Sequence, residues 1–250
     1  MAESHRTDPN PFVLQKQSSN SSQQPLEVYH LSHDLRGPLN SMLGFTELLL
    51  EGIEGPLNDI QMEDVAAIRQ SAQNLLQLIN NLVDLSKLEA DKVPLALEAV
   101  DLVDVIHKTR DHKARAPRPT PVELIVNIPA SLPPVRGDRD RIEQMISNLL
   151  SFMLQIKNEG QIDISATYDE QNLTIRVVAA GAFLPTDELA ELFDLTVKVD
   201  AAGRSKLGQG GLTLPLVQRL VQKHQGRLWV VSEANVGTAF YLELPLDQRD

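Results

Sequence analysis

The stretch LSHDLRGPLN, residues 31–40, sets His33 beside Asp34 and places Pro38 five residues after the histidine. Imidazole, with an ordinary pKa of about 6.5, is a competent nucleophile near neutral pH. An adjacent carboxylate can orient one ring nitrogen or take its proton, the base-beside-nucleophile arrangement of covalent catalysis. Pro38 has no N–H, so the carbonyl of Asp34, four residues earlier, loses its helical donor. A bend is expected there, exposing the stretch. His30, His107, His112 and His224 have no comparable setting and read as chemically inert.

The elements that must carry this pair are legible around it. Residues 1–24, ending QKQSSNSSQQ, are polar and of low complexity, a tail or the stub of a linker. A helical pattern runs from Pro25 to about Gly52, with Leu31, Leu35, Met42, Leu49 and Ile53 on one side, so that His33 points away from that seam. Gly52, Gly55 and Pro56 then punctuate the chain. Val65, Ile68, Ala72, Leu75, Ile79 and Leu82 follow at spacings of 3, 4, 3, 4, 3, the seam of a left-handed coiled coil. Two helices joined in this way form an antiparallel hairpin. One hairpin cannot cover its own apolar stripe, so pairing into a dimeric four-helix bundle, a homodimer, is expected.

Beyond residue 95 the period changes. Residues 121–129, 161–169, 172–180, 226–233 and 237–245 alternate as strands do. Helical patterns occupy about 100–114, 138–156, 186–194 and 212–225. The expected fold is therefore a helical hairpin over 25–94 followed by an α/β sandwich over 95–250, its helices against one face of a largely antiparallel sheet.

Composition narrows the function classes. The chain has 250 residues, no cysteine and a net charge of −11. Disulfides and thiolate metal sites are excluded, and the negative balance argues against nucleic acid as a partner. No run has the roughly 18–20 apolar residues of a membrane span, and MAESHRTDPN lacks the pattern of a signal peptide. A cytoplasmic location is expected.

The ordered set SHDLRGPLN, NNLVDLSKLEADK, LPPVRGDRDRIEQMISNLL and LVQRLVQKHQGRLWVVSEANVGTAFYLELP resembles the sensor histidine kinases of two-component signalling, from about residue 26 to 245. The resemblance implies a dimeric hairpin domain carrying a phosphorylatable histidine and an ATP-binding domain of the Bergerat type. It makes His33 the phosphoacceptor and Asp34 its acidic helper, with Arg36, Pro38 and Asn40 completing the motif. Members that dephosphorylate their partner usually carry Thr or Asn four residues after the histidine, where this chain has Gly37, although Asn40 is near.

The nucleotide motifs depart from the family. Its N-box has two asparagines four residues apart. Asn148 fills the first place, but Phe152 stands at the second, the Mg²⁺ ligand, with Gln155 and Ile156 at the following basic and aromatic places. Phenylalanine offers no oxygen to a hard cation. In VVAAGAFLP, Ala179 replaces the aspartate that accepts the adenine amino group, Gly181 is kept, and Phe183 replaces the second glycine. In LGQGGLTLPL, Gly208 and Gly211 remain, while Gln209 and Thr213 occupy two other glycine places of the phosphate cradle. No metal site and no cofactor are expected from such a pocket.

Three readings stay open on these residues. An ATP-independent phosphotransferase would exchange phosphate between His33 and an aspartate of a response-regulator receiver domain. An autokinase would charge His33 from Mg·ATP. A pseudokinase scaffold would bind receivers or another kinase without chemistry. The intact hairpin motif beside an eroded pocket favours the first.

Overall fold

A computed structural model describes residues 24–53, 55–90, 94–115, 121–157, 159–193 and 211–248. Helix α1 spans Gln24–Leu50 and α2 spans Asp59–Glu89. The turn between them is built from local chemistry. Ile53 N–H donates to the Leu48 carbonyl and Gly52 N–H to that of Leu49, with Gly52 at φ +69°. That is a Schellman closure, in which the left-handed residue is glycine because a Cβ would be strained. Asn58 then starts α2 with a capping box, its side chain accepting from Gln61 N–H while the Gln61 side chain accepts from Asn58 N–H.

The seam between these helices differs from the expected one. Leu39, Ala72 and Ile79 are buried together, with Leu43 and Leu76 packed on them. Leu35, Met42 and Ile53, expected on the buried side of α1, are 37, 52 and 65 % exposed. On α2 the coiled-coil positions split: Ala72 and Ile79 face α1, whereas Ile68, Leu75 and Leu82 are 53, 46 and 40 % exposed. One partner helix can cover only one of the two apolar rows. α1 runs on through Pro38, as the helical pattern from Pro25 to about Gly52 requires.

The second unit is an α/β sandwich. Its strands β2 (Val122–Asn127), β4 (Gly160–Tyr168), β5 (Asn172–Ala180), β6 (Arg227–Glu233) and β7 (Gly237–Pro245) form a sheet in the order β2-β4-β5-β7-β6. Only the β2–β4 pair is parallel. Two short strands missing from the alternation reading, β1 (Glu98–Val100) and β3 (Val135–Gly137), make a separate antiparallel pair. Three residues are too few to show a period.

Helices α3 (Leu102–Ala114), α4 (Arg139–Ile156) and α6 (Thr213–Lys223) supply the apolar layer, and α5 (Thr186–Glu191) is short. Ile164, Ile175, Val177 and Leu242 from the sheet share one core with Ile146, Leu149 and Met153 of α4 and Leu216, Val217 and Leu220 of α6. Asp101 and Asp138 cap α3 and α4 through their carboxylates. Across strands β7 and β6, Trp229 stacks on Tyr241 with ring centroids 5.0 Å apart. Arg227 and Arg176 lie over the two rings at 5.5 and 5.9 Å.

The two units share buried side chains. Leu85 and Leu88 of α2 belong to the sandwich core rather than to the hairpin seam. Asn81, at 1 % exposure, donates to the Thr213 hydroxyl at 3.2 Å, and Asp84 accepts from Gln144 at 2.6 Å with Arg141 at 3.6 Å.

Candidate functional site

His33 lies in the first half of α1 with its side chain 80 % exposed. Its Nδ1 is 3.6 Å from Asp34 Oδ1. A proton on Nδ1 would face the carboxylate, and the Nε2 lone pair would then be free to act as a nucleophile. Pro38 and Asn40 are exposed, Arg36 is half-buried, and Gly37 accepts from the Ser41 hydroxyl at 3.2 Å. Arg36 turns toward α2, where its Nε and Nη2 both donate to Asn80 Oδ1, at 3.2 and 2.8 Å. The structure thus brings His33, Asp34, Arg36 and Asn80 onto one end of the hairpin.

The second cluster lies where α4, the end of β5 and the start of α6 converge. Asn148 is 6 % exposed, and its Nδ2 has no partner among the described residues. Phe152, one turn on, is 2 % exposed and meets Phe240 of β7 edge-on, centroids 5.7 Å apart. An aromatic at this point of an amphipathic helix is drawn into the core by its own apolar area, and the T-shaped contact adds to that burial. Ala179 is fully buried. The following turn passes through Gly181 at φ +77° and is tied down by Lys157 donating to the Ala180 carbonyl at 2.5 Å. Gly181 N–H donates to the Val236 carbonyl, and Thr238 donates to that of Ala182 at 2.7 Å. Gly237, at φ +128°, has its Cα side against this turn: a Cβ there would come within 2.3 Å of the Ala179 carbonyl oxygen. Phe183 is 48 % exposed. Gly211 is half-buried in the turn before α6, and Thr213 is buried. Gly208 and Gln209 lie outside the described residues.

Mg·ATP, implied for this cleft by the resemblance, does not fit these side chains. At Phe152, where the resemblance puts the metal ligand, an aromatic ring is packed into the core, and at Ala179, where it puts the adenine acceptor, there is a buried methyl group. Among the described residues no group of three or more His, Asp or Glu could hold a metal. Thr213, in a glycine place of the cradle, has its hydroxyl engaged by Asn81. Asn80 and Asn81 open the NNLVDLSKLEADK motif, but neither their contacts nor that of Lys157 follows from it.

His224 belongs to neither cluster. Its Nδ1–H donates to the Leu220 carbonyl at 2.8 Å and its Nε2 accepts from Asp138 N–H at 3.1 Å. Burial pushes its pKa below the usual imidazole value, against the hydrogen bond to Leu220 and the charge of Asp138. It is a neutral structural histidine that pins α6 to the start of α4.

Comparisons with known proteins agree with this layout. Residues 26–91 match the His Kinase A (phospho-acceptor) domain, and residues 137–248 match the histidine kinase-, DNA gyrase B- and HSP90-like ATPase family. The chain is 32 % identical over 228 residues to the autoinducer 2 sensor kinase/phosphatase LuxQ of Vibrio cholerae, covering 87 % of this chain and 26 % of that protein. It is 31 % identical over 224 residues to the signal transduction histidine-protein kinase BarA of Escherichia coli, covering 87 % and 24 %. It spans about a quarter of the length of these relatives. Full-length ShkA in complex with AMPPNP superimposes with a TM-score of 0.65 at 26 % identity, over 89 % of this chain and 46 % of that one. The Acinetobacter baumannii histidine kinase AdeS shares the fold, with a TM-score of 0.56 at 19 % identity over 86 % and 98 %. A phosphoacceptor hairpin followed by a kinase-type ATPase domain, matched in that order, makes this chain a member of the sensor histidine kinase family of two-component systems.

Proposed function

We propose that this chain is a phosphotransferase in which His33 exchanges a phosphoryl group with an aspartate of a response-regulator receiver, without ATP. The observation that carries the reading is Phe152: its ring is core, 2 % exposed, at the position where the family expects a metal ligand. Ala179 and Thr213 point the same way. The hairpin motif, by contrast, keeps His33, Asp34, Arg36, Pro38 and Asn40.

In the transfer, His33 Nε2 attacks the phosphorus of the receiver's aspartyl phosphate. The N–P bond forms as the P–O bond breaks, and the receiver's carboxylate leaves. The ring becomes a phosphoimidazolium whose Nδ1 proton is met by the Asp34 carboxylate. The return transfer to a receiver aspartate runs the same steps backward. Gly37 offers no side chain to position a hydrolytic water, so dephosphorylation of the partner by that route is not expected.

The working unit is a homodimer. Ile68, Leu75 and Leu82, with Leu35 and Met42, form an exposed apolar row that a second hairpin would cover. We place the hairpin domain at 25–94 and the degenerate ATPase domain at 95–250.

Autokinase activity is the second reading, favoured by one observation: Asn148 keeps a buried Nδ2 with no partner among the described residues, which a polar ligand could satisfy. Radiolabelled Mg·ATP and a radiolabelled phospho-receiver, each offered to wild type and His33→Ala, separate the two. Acid-labile, base-stable label from the receiver only, lost in His33→Ala, is the expected result. Label from ATP would make the chain an autokinase. No label from either donor would leave a scaffold.

A further inference from the structure

We infer that Asn80 is a positioning residue for phosphoryl exchange at His33, holding the Arg36 guanidinium against α2, about one helical turn along from the imidazole, with its charge intact. This rests on the phosphoacceptor reading of His33. Arg36 follows His33 by three residues, so the two share one sector of the α1 surface. A free arginine side chain would spread over many rotamers. Here two of its N–H groups converge on a single oxygen, Asn80 Oδ1.

The identity of that acceptor matters. A carboxylate at position 80 would hold the guanidinium equally well but would cancel its charge. An amide oxygen fixes the fork and leaves the cation whole. Two carboxylates close by along the helices, Asp84 and Asp34, have other neighbours among the described residues. Asp84, one turn beyond Asn80 on α2, is held by Gln144 and lies 3.6 Å from Arg141. Asp34 is 80 % exposed, its Oδ1 beside His33 Nδ1. Among the described residues, Arg36 meets an amide and no carboxylate. During transfer at Nε2, negative charge spreads over the three phosphoryl oxygens. A cation already in place stabilises that charge without reorganising at the moment of reaction.

The test uses the full chain and phosphoramidate, a small donor that needs no receiver. Phosphohistidine formation is followed by ³¹P NMR, with His33→Ala as the blank. Asn80→Ala should slow labelling of His33 by about three- to tenfold at low ionic strength, and the difference should fade in ~1 M salt, as a charge effect must. Asn80→Asp should be as slow as Asn80→Ala, because it keeps the acceptor and neutralises the cation. The Asn80→Ala/Arg36→Gln double variant should be no slower than Arg36→Gln, since Asn80 acts only through Arg36. A purely structural Asn80 would show neither the salt dependence nor this non-additivity. Wild-type rates in both Asn80 variants would overturn the inference and leave the phosphoacceptor reading standing. Absence of label on His33 in the wild type would overturn both.

Discussion

Asn81 of α2 and Thr213, the first residue of α6, share a 3.2 Å hydrogen bond with both side chains buried. Gln77 holds the other end of the amide, donating to Asn81 Oδ1 at 2.9 Å. By the resemblance Thr213 takes a glycine place of the phosphate cradle, and its hydroxyl accepts from the hairpin. The contact ties the start of α6 to the helical hairpin.

Breaking that joint should cost stability. Asn81→Ala strands the Thr213 hydroxyl, and Thr213→Val strands the Asn81 amide, so each should destabilise by about 1–3 kcal/mol. The double variant should lose less than the sum, because the second change removes a group already unpaired. Urea midpoints of the four proteins check this, and full additivity would show that the bond carries no coupling.

Phe152→Asn, which supplies the residue that the resemblance puts at the metal position, should destabilise rather than reactivate. It removes a buried ring in contact with Phe240 and puts an amide in an apolar site, at a cost of about 3–5 kcal/mol. Thermal unfolding with and without Mg·ATP measures both effects. A variant as stable as wild type and shifted upward by nucleotide would mean that the pocket can reopen.

Stability should fall in mild acid because of His224. Its native pKa lies below the unfolded value of about 6.5, so the unfolded chain takes up the proton first. The contribution is complete above pH ~6.5 and is lost as pH falls toward the native pKa. Protonating Nε2 would also turn the acceptor of Asp138 N–H into a donor. Denaturation midpoints across pH 5–8 should decline on the acid side for wild type and flatten for His224→Gln relative to it.

Leu75→Glu should separate the dimer while leaving each hairpin seam intact, because Leu75 is 46 % exposed in the single chain and Ala72 and Ile79 carry the intramolecular contact. Sedimentation velocity should report a monomer for the variant and a dimer for wild type. A wild-type monomer at micromolar concentration would remove the four-helix bundle from the reading.

Much of this was legible along the chain because it depends on local periodicity. The alternation in ATYDEQNLTIRVVAA marks two strands and their turn. The 3–4 spacing of α2 marks a helix, and SHDLRGPLN marks a surface histidine with its aspartate. The loss of an oxygen at Phe152 and at Ala179 is likewise a property of residue type, readable before any coordinates. The sequence could not say which apolar row of α2 faces α1, since Ile68 and Ala72 fit a helical stripe equally well and only the antiparallel partner chooses between them. It could not show that Leu85 and Leu88 leave the hairpin for the sandwich core, or that Arg36 reaches Asn80 and Thr213 reaches Asn81. Those pairs are 44 and 132 residues apart. Hydrogen bonds over such separations are set by how whole elements pack, and a pattern that repeats every few residues carries no record of that packing.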